Sequence, residues 1–320
     1  MHAASHQRKT AYPGSAPPSA LVAVVVANVA LAFGPWFVRL ADTGPVASGF
    51  WRITLAAPLL CVLAWASSAP SARRMRLSAG LWWTVGLAGI AFAADLASWH
   101  LGILRTTLAN ATLFGNCATL MFPIYGFLVA RAWPTRTQGI ALALATAGAV
   151  LLMGRSYSLD PRNLAGDLLA LTAGVLYTMY FILMARAREA MAPLSSLALS
   201  TLASIVPLGV FAWALGERIL PTDWSPLIGL ALVSQVIGQG AMIYALGKLS
   251  PLVIGIALLM QPVIAGAVGW IVYGERLGTP DLVGVVMVAV ALVLVRRDAV
   301  VAPEPVRDHL GSEEPSPWKT

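Results

Sequence analysis

The chain has 320 residues, 58% of them hydrophobic and 11% charged, with a mean hydropathy of +0.76 and a net charge of +7. Soluble domains carry about 25% charged residues, so this composition excludes an ordinary globular domain and reads as a polytopic membrane protein. The basic excess is of the kind that gathers on the cytoplasmic face of membrane proteins, and no nucleic-acid surface is needed to explain it. Cys61 and Cys117 lie in apolar runs without CxxC or Cys/His spacing, which points to no metal, cofactor or disulfide framework.

In chain order, residues 1–19 mix Arg8 and Lys9 with Pro, Ser and Ala and read as a disordered arm. Breaks of Pro, Gly and charge then divide the chain into ten apolar segments, at 20–39, 46–67, 79–102, 107–130, 137–154, 167–186, 194–216, 225–247, 251–273 and 281–297. Each is near the length of about 20 residues that spans a bilayer as a helix. Residues 155–166 connect the first five segments to the second five, and 298–320 read as a disordered tail. With the N-terminus placed in the cytoplasm, fourteen of the 21 Lys and Arg fall on that side, six on the other, and Arg52 within a span. This bias predicts an inner-membrane protein with both termini cytoplasmic.

The polar residues inside these spans are the candidate site. Arg52 in the second span either snorkels to the interface or offers its fork to a solute carboxylate. Asp95 in the third span either couples transport to protons, binds an ammonium group, or balances Arg52. Trp99 lies four residues on and shares its face, whereas His100, five residues on, is about 140° away around the helix. His100 is read either as a bonded interior residue or as a proton relay. Asn110 and Asn116 in the fourth span, Gln235 and Gln239 in the eighth, and Gln261 in the ninth are either helix–helix bridges or cavity walls. Tyr244 joins them as an interior aromatic. Thr106 and Thr107 suit the start of a helix, where hydroxyls accept from free amide N–H groups. The run 139–154, GIALALATAGAVLLMG, offers a small-residue face for a seam or a dimer contact.

At an offset of 145 residues, Trp99 falls on Tyr244, Asn116 on Gln261, Arg131 on Arg276 and Gly139 on Gly284. These matches predict two repeats, 20–154 and 167–297. Five spans per repeat force the second copy to be inverted, an arrangement used by secondary transporters to rock around a shared site. The fold class expected is therefore all-α, with ten transmembrane helices as two inverted five-helix repeats.

The segment DLASWHLGILRTTLANATLFGN (95–116) resembles the third and fourth helices of EamA-type members of the drug/metabolite transporter superfamily. LLMQPVIAGAVGWIVYGERLGTPDLVG (258–284) resembles the ninth and tenth, and GFWRITLAAPLL (49–60) the second. Ala130-Arg131 and Cys117 depart from the Glu-Arg pair and the proline usual at those places. The resemblance implies ten helices, no cofactor, and carriage of small organic solutes such as amino acids, often outward.

The expected function is a secondary transporter, an exporter of small organic metabolites working by alternating access around a central cavity bordered by Asp95, Trp99, Asn116, Tyr244 and Gln261. Uptake of a vitamin or nucleotide-like solute stands as an alternative, and a membrane scaffold or sensor as one from another class. The chain has no HExxH, GxSxG or GxxxxGKS, so neither an intramembrane hydrolase nor an ATP-driven pump is indicated. The partners expected are a small solute and lipid; monomer and homodimer are both open.

Overall fold

The structure is a computed structural model that describes residues 17–68, 78–103, 105, 114–115, 118–131, 133–154 and 164–261, with shorter pieces at 263–264, 271, 279, 283–284, 286–287, 290–291 and 294. The arms, most of the linker, Asn110, Asn116, Cys117 and the Gly274–Arg276 turn lie outside the described residues. Among the described residues all regular structure is helical.

Proline sets many of the starts, because its fixed φ suits the first helical turn and its missing N–H is not needed there. Helices α1 (Pro18–Ala32), α3 (Pro45–Ser67) and α8 (Pro193–Ala214) each begin on a proline. Between α1 and α2 (Gly34–Leu40) the chain turns at Phe33, where Gly34-Pro35 interrupts the first span. The further helices are α4 (Ala79–Ile103), α5 (Ala118–Ala130), α6 (Arg136–Gly154) and α7 (Leu164–Ala190). The eighth span is composite: α9 (Ser225–Gly229), a π-helical segment (Leu230–Gln239) and α10 (Gly240–Leu246). Helix α11 (Pro251–Leu258) begins the ninth segment.

Among the described residues, six stretches are long and apolar enough to cross a membrane: Pro18–Val38, Pro45–Ser67, Ala79–Gly102, Leu164–Ala190, Pro193–Ala214 and Ser225–Leu246. Helix α1 shows how they divide their faces. Val22, Val25, Val26 and Val29 are exposed at helical spacing, while Ala20, Val24, Ala27 and Asn28 are buried. In a bilayer the exposed stripe meets lipid and leaves no backbone group unpaired, because the helix satisfies its own.

The core is built where α4 packs along α7, α3 along α8, α4 along α8, and α1 along the π segment and α10. Small residues allow the closest of these approaches. A Cβ added at Gly89 of α4 would lie 2.5 Å from both the Ala203 Cβ and the Ser200 carbonyl oxygen of α8. The Ser204 hydroxyl donates to the Gly89 carbonyl at 2.8 Å and closes the same contact.

One end of the bundle is tied together by two loops far apart in sequence. Two residues past the end of α8 stands Gly216, whose φ of +67° lies in the left-handed region that glycine adopts without strain. That turn delivers Glu217 to the start of α3. The Val46 and Ala47 N–H groups donate to its carboxylate at 3.3 and 2.7 Å, and the Gly44 N–H donates to the Arg218 carbonyl at 3.0 Å. Gly44 has no side chain to cap α3 itself, so the cap comes from the other half of the chain. Asp42 accepts from the Thr222 N–H at 2.8 Å and from its hydroxyl, and pairs with Arg218 at 3.5 Å. These bonds, the Thr222 hydroxyl above all, hold the Asp42 carboxyl below the usual carboxylate range. The Trp51 indole donates to the Ile219 carbonyl at 2.7 Å and meets Trp224 edge to face at 4.8 Å.

Candidate functional site

Arg52 lies two turns into α3 from this cap, on its buried side, with 6% of its surface exposed. Its Nε donates to the Gln235 Oε1 of the π segment at 3.0 Å. The Gln235 Nε2 in turn donates to the Thr201 hydroxyl of α8 at 3.2 Å. The guanidinium also sits 5.7 Å from the centroid of the Phe92 ring on α4, near the distance at which a cation is attracted to an aromatic face. Arg52 is thus held inside the bundle; the snorkelling reading does not describe it.

Asp95 is one turn beyond Phe92 on α4 and is 8% exposed. Arg52, Tyr177 and Tyr180 all lie within its electrostatic range. Among the described residues the ion pair closed within 4.0 Å is Arg218–Asp42, so Asp95 and Arg52 face each other without direct contact. A gap between opposite charges in a low-dielectric interior is costly unless a polar group or water occupies it.

Aromatic rings wall the cluster. Phe92 stacks on Tyr180 of α7 at 4.6 Å and 22°. Tyr177 packs on Phe181 at 4.3 Å, and Phe181 meets Phe122 of α5 at 5.4 Å. The Tyr177 hydroxyl donates to the Gln239 Oε1 at 3.4 Å, which joins α7 to the π segment. That segment is ten residues long. Stretches of π-helix are rare and recur at functional sites.

The other expected residues lie apart from this cluster or at its border. The His100 Nδ1 lies 2.7 Å from the Pro45 carbonyl, which can only accept, so Nδ1 carries the proton and the ring ties α4 to the start of α3. Trp99 packs on His100 with centroids 5.3 Å apart and lies against Gly115. The structure places Tyr244 elsewhere: its hydroxyl bonds Ser19 at 3.1 Å and accepts from the Lys248 ammonium at 2.8 Å. The Gln261 Nε2 donates to the Asn28 Oδ1 at 3.0 Å, and the Asn28 Nδ2 donates to the Val24 carbonyl at 2.7 Å. That is a bridge between α1 and residue 261, the helix-linking use of an amide. Asn110 and Asn116 lie outside the described residues.

Sequence reasoning missed Asn28, although it is the one polar residue in VAVVVANVALAF and could have been flagged as such. It also missed the buried hydroxyl stripe Ser196, Ser200, Thr201 and Ser204 of α8, one of which orients Gln235. No local signal marked Glu217, because its partners are 170 residues away.

Among solved structures, one described as "Crystal structure of protein" superposes with a TM-score of 0.71, covering 88% of this chain and 97% of its own at 12% identity. A likeness at that identity speaks to the fold alone. No curated relative matches. Residues 164–297, which contain Tyr177, Tyr180, Gln235 and Gln239, match the model of the EamA-like transporter family.

Proposed function

We propose that the protein is a secondary carrier which exports small organic metabolites, amino acids among them, by alternating access around the Arg52–Asp95–Gln235–Gln239 cluster. The observation that carries this reading is a buried charged cluster left partly unsatisfied. Arg52 and Asp95 do not touch, and the Gln239 Nε2 and Tyr180 hydroxyl have no hydrogen-bond partner. A purely structural polar network is closed upon itself. One that is open among four helices suits a solute with a carboxylate for Arg52 and an ammonium for Asp95, with the rings of Phe92, Tyr177 and Tyr180 against its apolar body.

Ten helices in two inverted repeats, with both termini cytoplasmic, belong to the same proposal. Its support is the pairing of helices. Exchanging the first span with the sixth and the third with the eighth turns the α4–α7 contact into the contact of the eighth span with α1. The α3–α8 and α5–α11 contacts map onto themselves. Trp99 and Tyr244, equivalent by the offset, fall near the ends of their spans, as inverted copies require.

The test is efflux from proteoliposomes preloaded with a mixed metabolite pool and read by mass spectrometry, with wild type beside Asp95→Asn and with or without a pH gradient. A narrow set of solutes leaving through wild type supports the carrier. Loss of only the gradient dependence in the variant assigns coupling to Asp95. No efflux from folded, inserted protein defeats the proposal for that pool.

A further inference from the structure

The two glutamines of the π segment are four residues apart and both fully buried, yet they are used differently. Gln235 is spent on both sides: its oxygen accepts from Arg52 and its nitrogen donates to Thr201. Gln239 is spent on one. Its oxygen accepts from Tyr177 at 3.4 Å, and its nitrogen has no partner. Tyr180 repeats the pattern. Its ring is fixed by stacking on Phe92, and its buried hydroxyl has no hydrogen-bond partner. The Ser200 hydroxyl is already bonded to the Leu197 carbonyl at 3.0 Å.

Both idle groups are donors, an amide N–H and a phenolic O–H, and they lie in the cluster that holds the Arg52 guanidinium. Leaving a buried donor unmade costs free energy, so its persistence calls for a compensating use. We infer that Gln239 and Tyr180 are specificity-determining residues, a donor pair kept open for a carboxylate or carbonyl oxygen of the transported solute beside Arg52. This assignment rests on the carrier reading above. It makes Gln235 the fixed support of the site and Gln239 the reader. A bound water would satisfy the same donors, and the experiment separates the two occupants.

Tyr180→Phe and Gln239→Met are compared with wild type and with Gln235→Met. The first readout is the apparent melting temperature of purified protein in detergent, with no solute added. Tyr180→Phe removes only an idle buried donor and leaves stability unchanged or raises it by about 1–3 °C; Gln239→Met also strands the Tyr177 hydroxyl and lowers it, but by less than Gln235→Met, which strands Arg52. The second readout is efflux of an equimolar pool of amino acids and their C-terminal amides from proteoliposomes. The variants are expected to lose about tenfold in efflux of the carboxylates, as for one lost hydrogen bond to a charged group, and less for the amides. Two results overturn the assignment: melting temperatures that fall as far as that of Gln235→Met, or carboxylate efflux equal to wild type, the outcome for donors that hold only water. If wild type moves neither class, the carrier reading fails first. If wild type moves solutes and the variants match it, the donor assignment fails alone.

Discussion

The capped end of the bundle and the middle of it use the same chemistry to opposite effect. At the capped end, Glu217, Asp42, Arg218, Thr222 and Trp51 find partners across the two halves of the chain. In the middle, Gln239 and Tyr180 are buried more deeply yet keep polar atoms unbonded to protein. Polar atoms are cheap to leave unpaired near water and expensive to leave unpaired inside, so an interior that does so holds capacity in reserve. The difference separates residues that hold the fold from those that the proposed carrier keeps for its solute.

The comparison is broken most directly at Arg52. Replacing it by Leu leaves Asp95 and Gln235 without their cation, and a cost on the order of 3 kcal/mol is expected together with loss of transport. The double variant Arg52→Leu, Asp95→Leu should recover much of the stability and none of the flux. Thermal unfolding beside efflux reads both; recovered flux would show the charges to be scaffolding.

A smaller effect is expected where α4 crosses α8. Gly89→Val puts side-chain atoms where the Ala203 Cβ already sits, and overpacking of this kind costs about 1–3 kcal/mol. Reduced melting temperature with unchanged solute selectivity is the expected result, and a changed selectivity would mean that this crossing shapes the site.

At the capped end, Glu217→Ala strands the Val46 and Ala47 N–H groups and should cost about 1 kcal/mol, typical of a lost helix cap. Flux per folded molecule should stay within about twofold of wild type, a change of roughly 0.4 kcal/mol. A loss of tenfold or more would make this end part of the transport cycle.

The smallest effect is in pH. Asp42 is depressed first by the Thr222 hydroxyl and then by its N–H and Arg218, and Asp223 by the Ser225 N–H and hydroxyl. A carboxyl whose folded value lies below its ordinary value stabilises the fold above that ordinary value, and the contribution is lost as pH falls through the folded value. The melting temperature should therefore decline in acid below about pH 4, the ordinary aspartate value, and less steeply in Asp42→Asn. Identical acid profiles would show that the Thr222 contact contributes nothing.

Much of the scaffold was legible. The spans expected at 46–67, 79–102 and 194–216 differ by a residue or two from Pro45–Ser67, Ala79–Ile103 and Pro193–Ala214. Length and hydropathy act locally, and the prolines that start α3 and α8 lie in plain view. The interior place of Asp95 was legible in the same way, since a carboxylate within an apolar span has few other places to go, whereas for Arg52 the sequence left snorkelling open and only the packing of α3 decided. The roles of the amides were not. Gln235, Gln239 and Gln261 look alike in sequence; one supports Arg52, one keeps a free donor, and one bridges to Asn28. Tyr244, matched to Trp99 by the offset, is expected to border one cavity with Asp95; its hydroxyl bonds Ser19 and Lys248, contacts that a sequence offset does not encode.

The amino-acid sequence by itself determined the solvent of this protein, the limits of its clear spans and the polar residues it carries into them. Those follow from composition and from patterns a few residues long. Only the tertiary structure decided which polar atoms are paired. Glu217 reaches Val46 across 171 positions and Gln235 reaches Arg52 across 183, and hydrogen bonding over such separations depends on packing that no local pattern encodes.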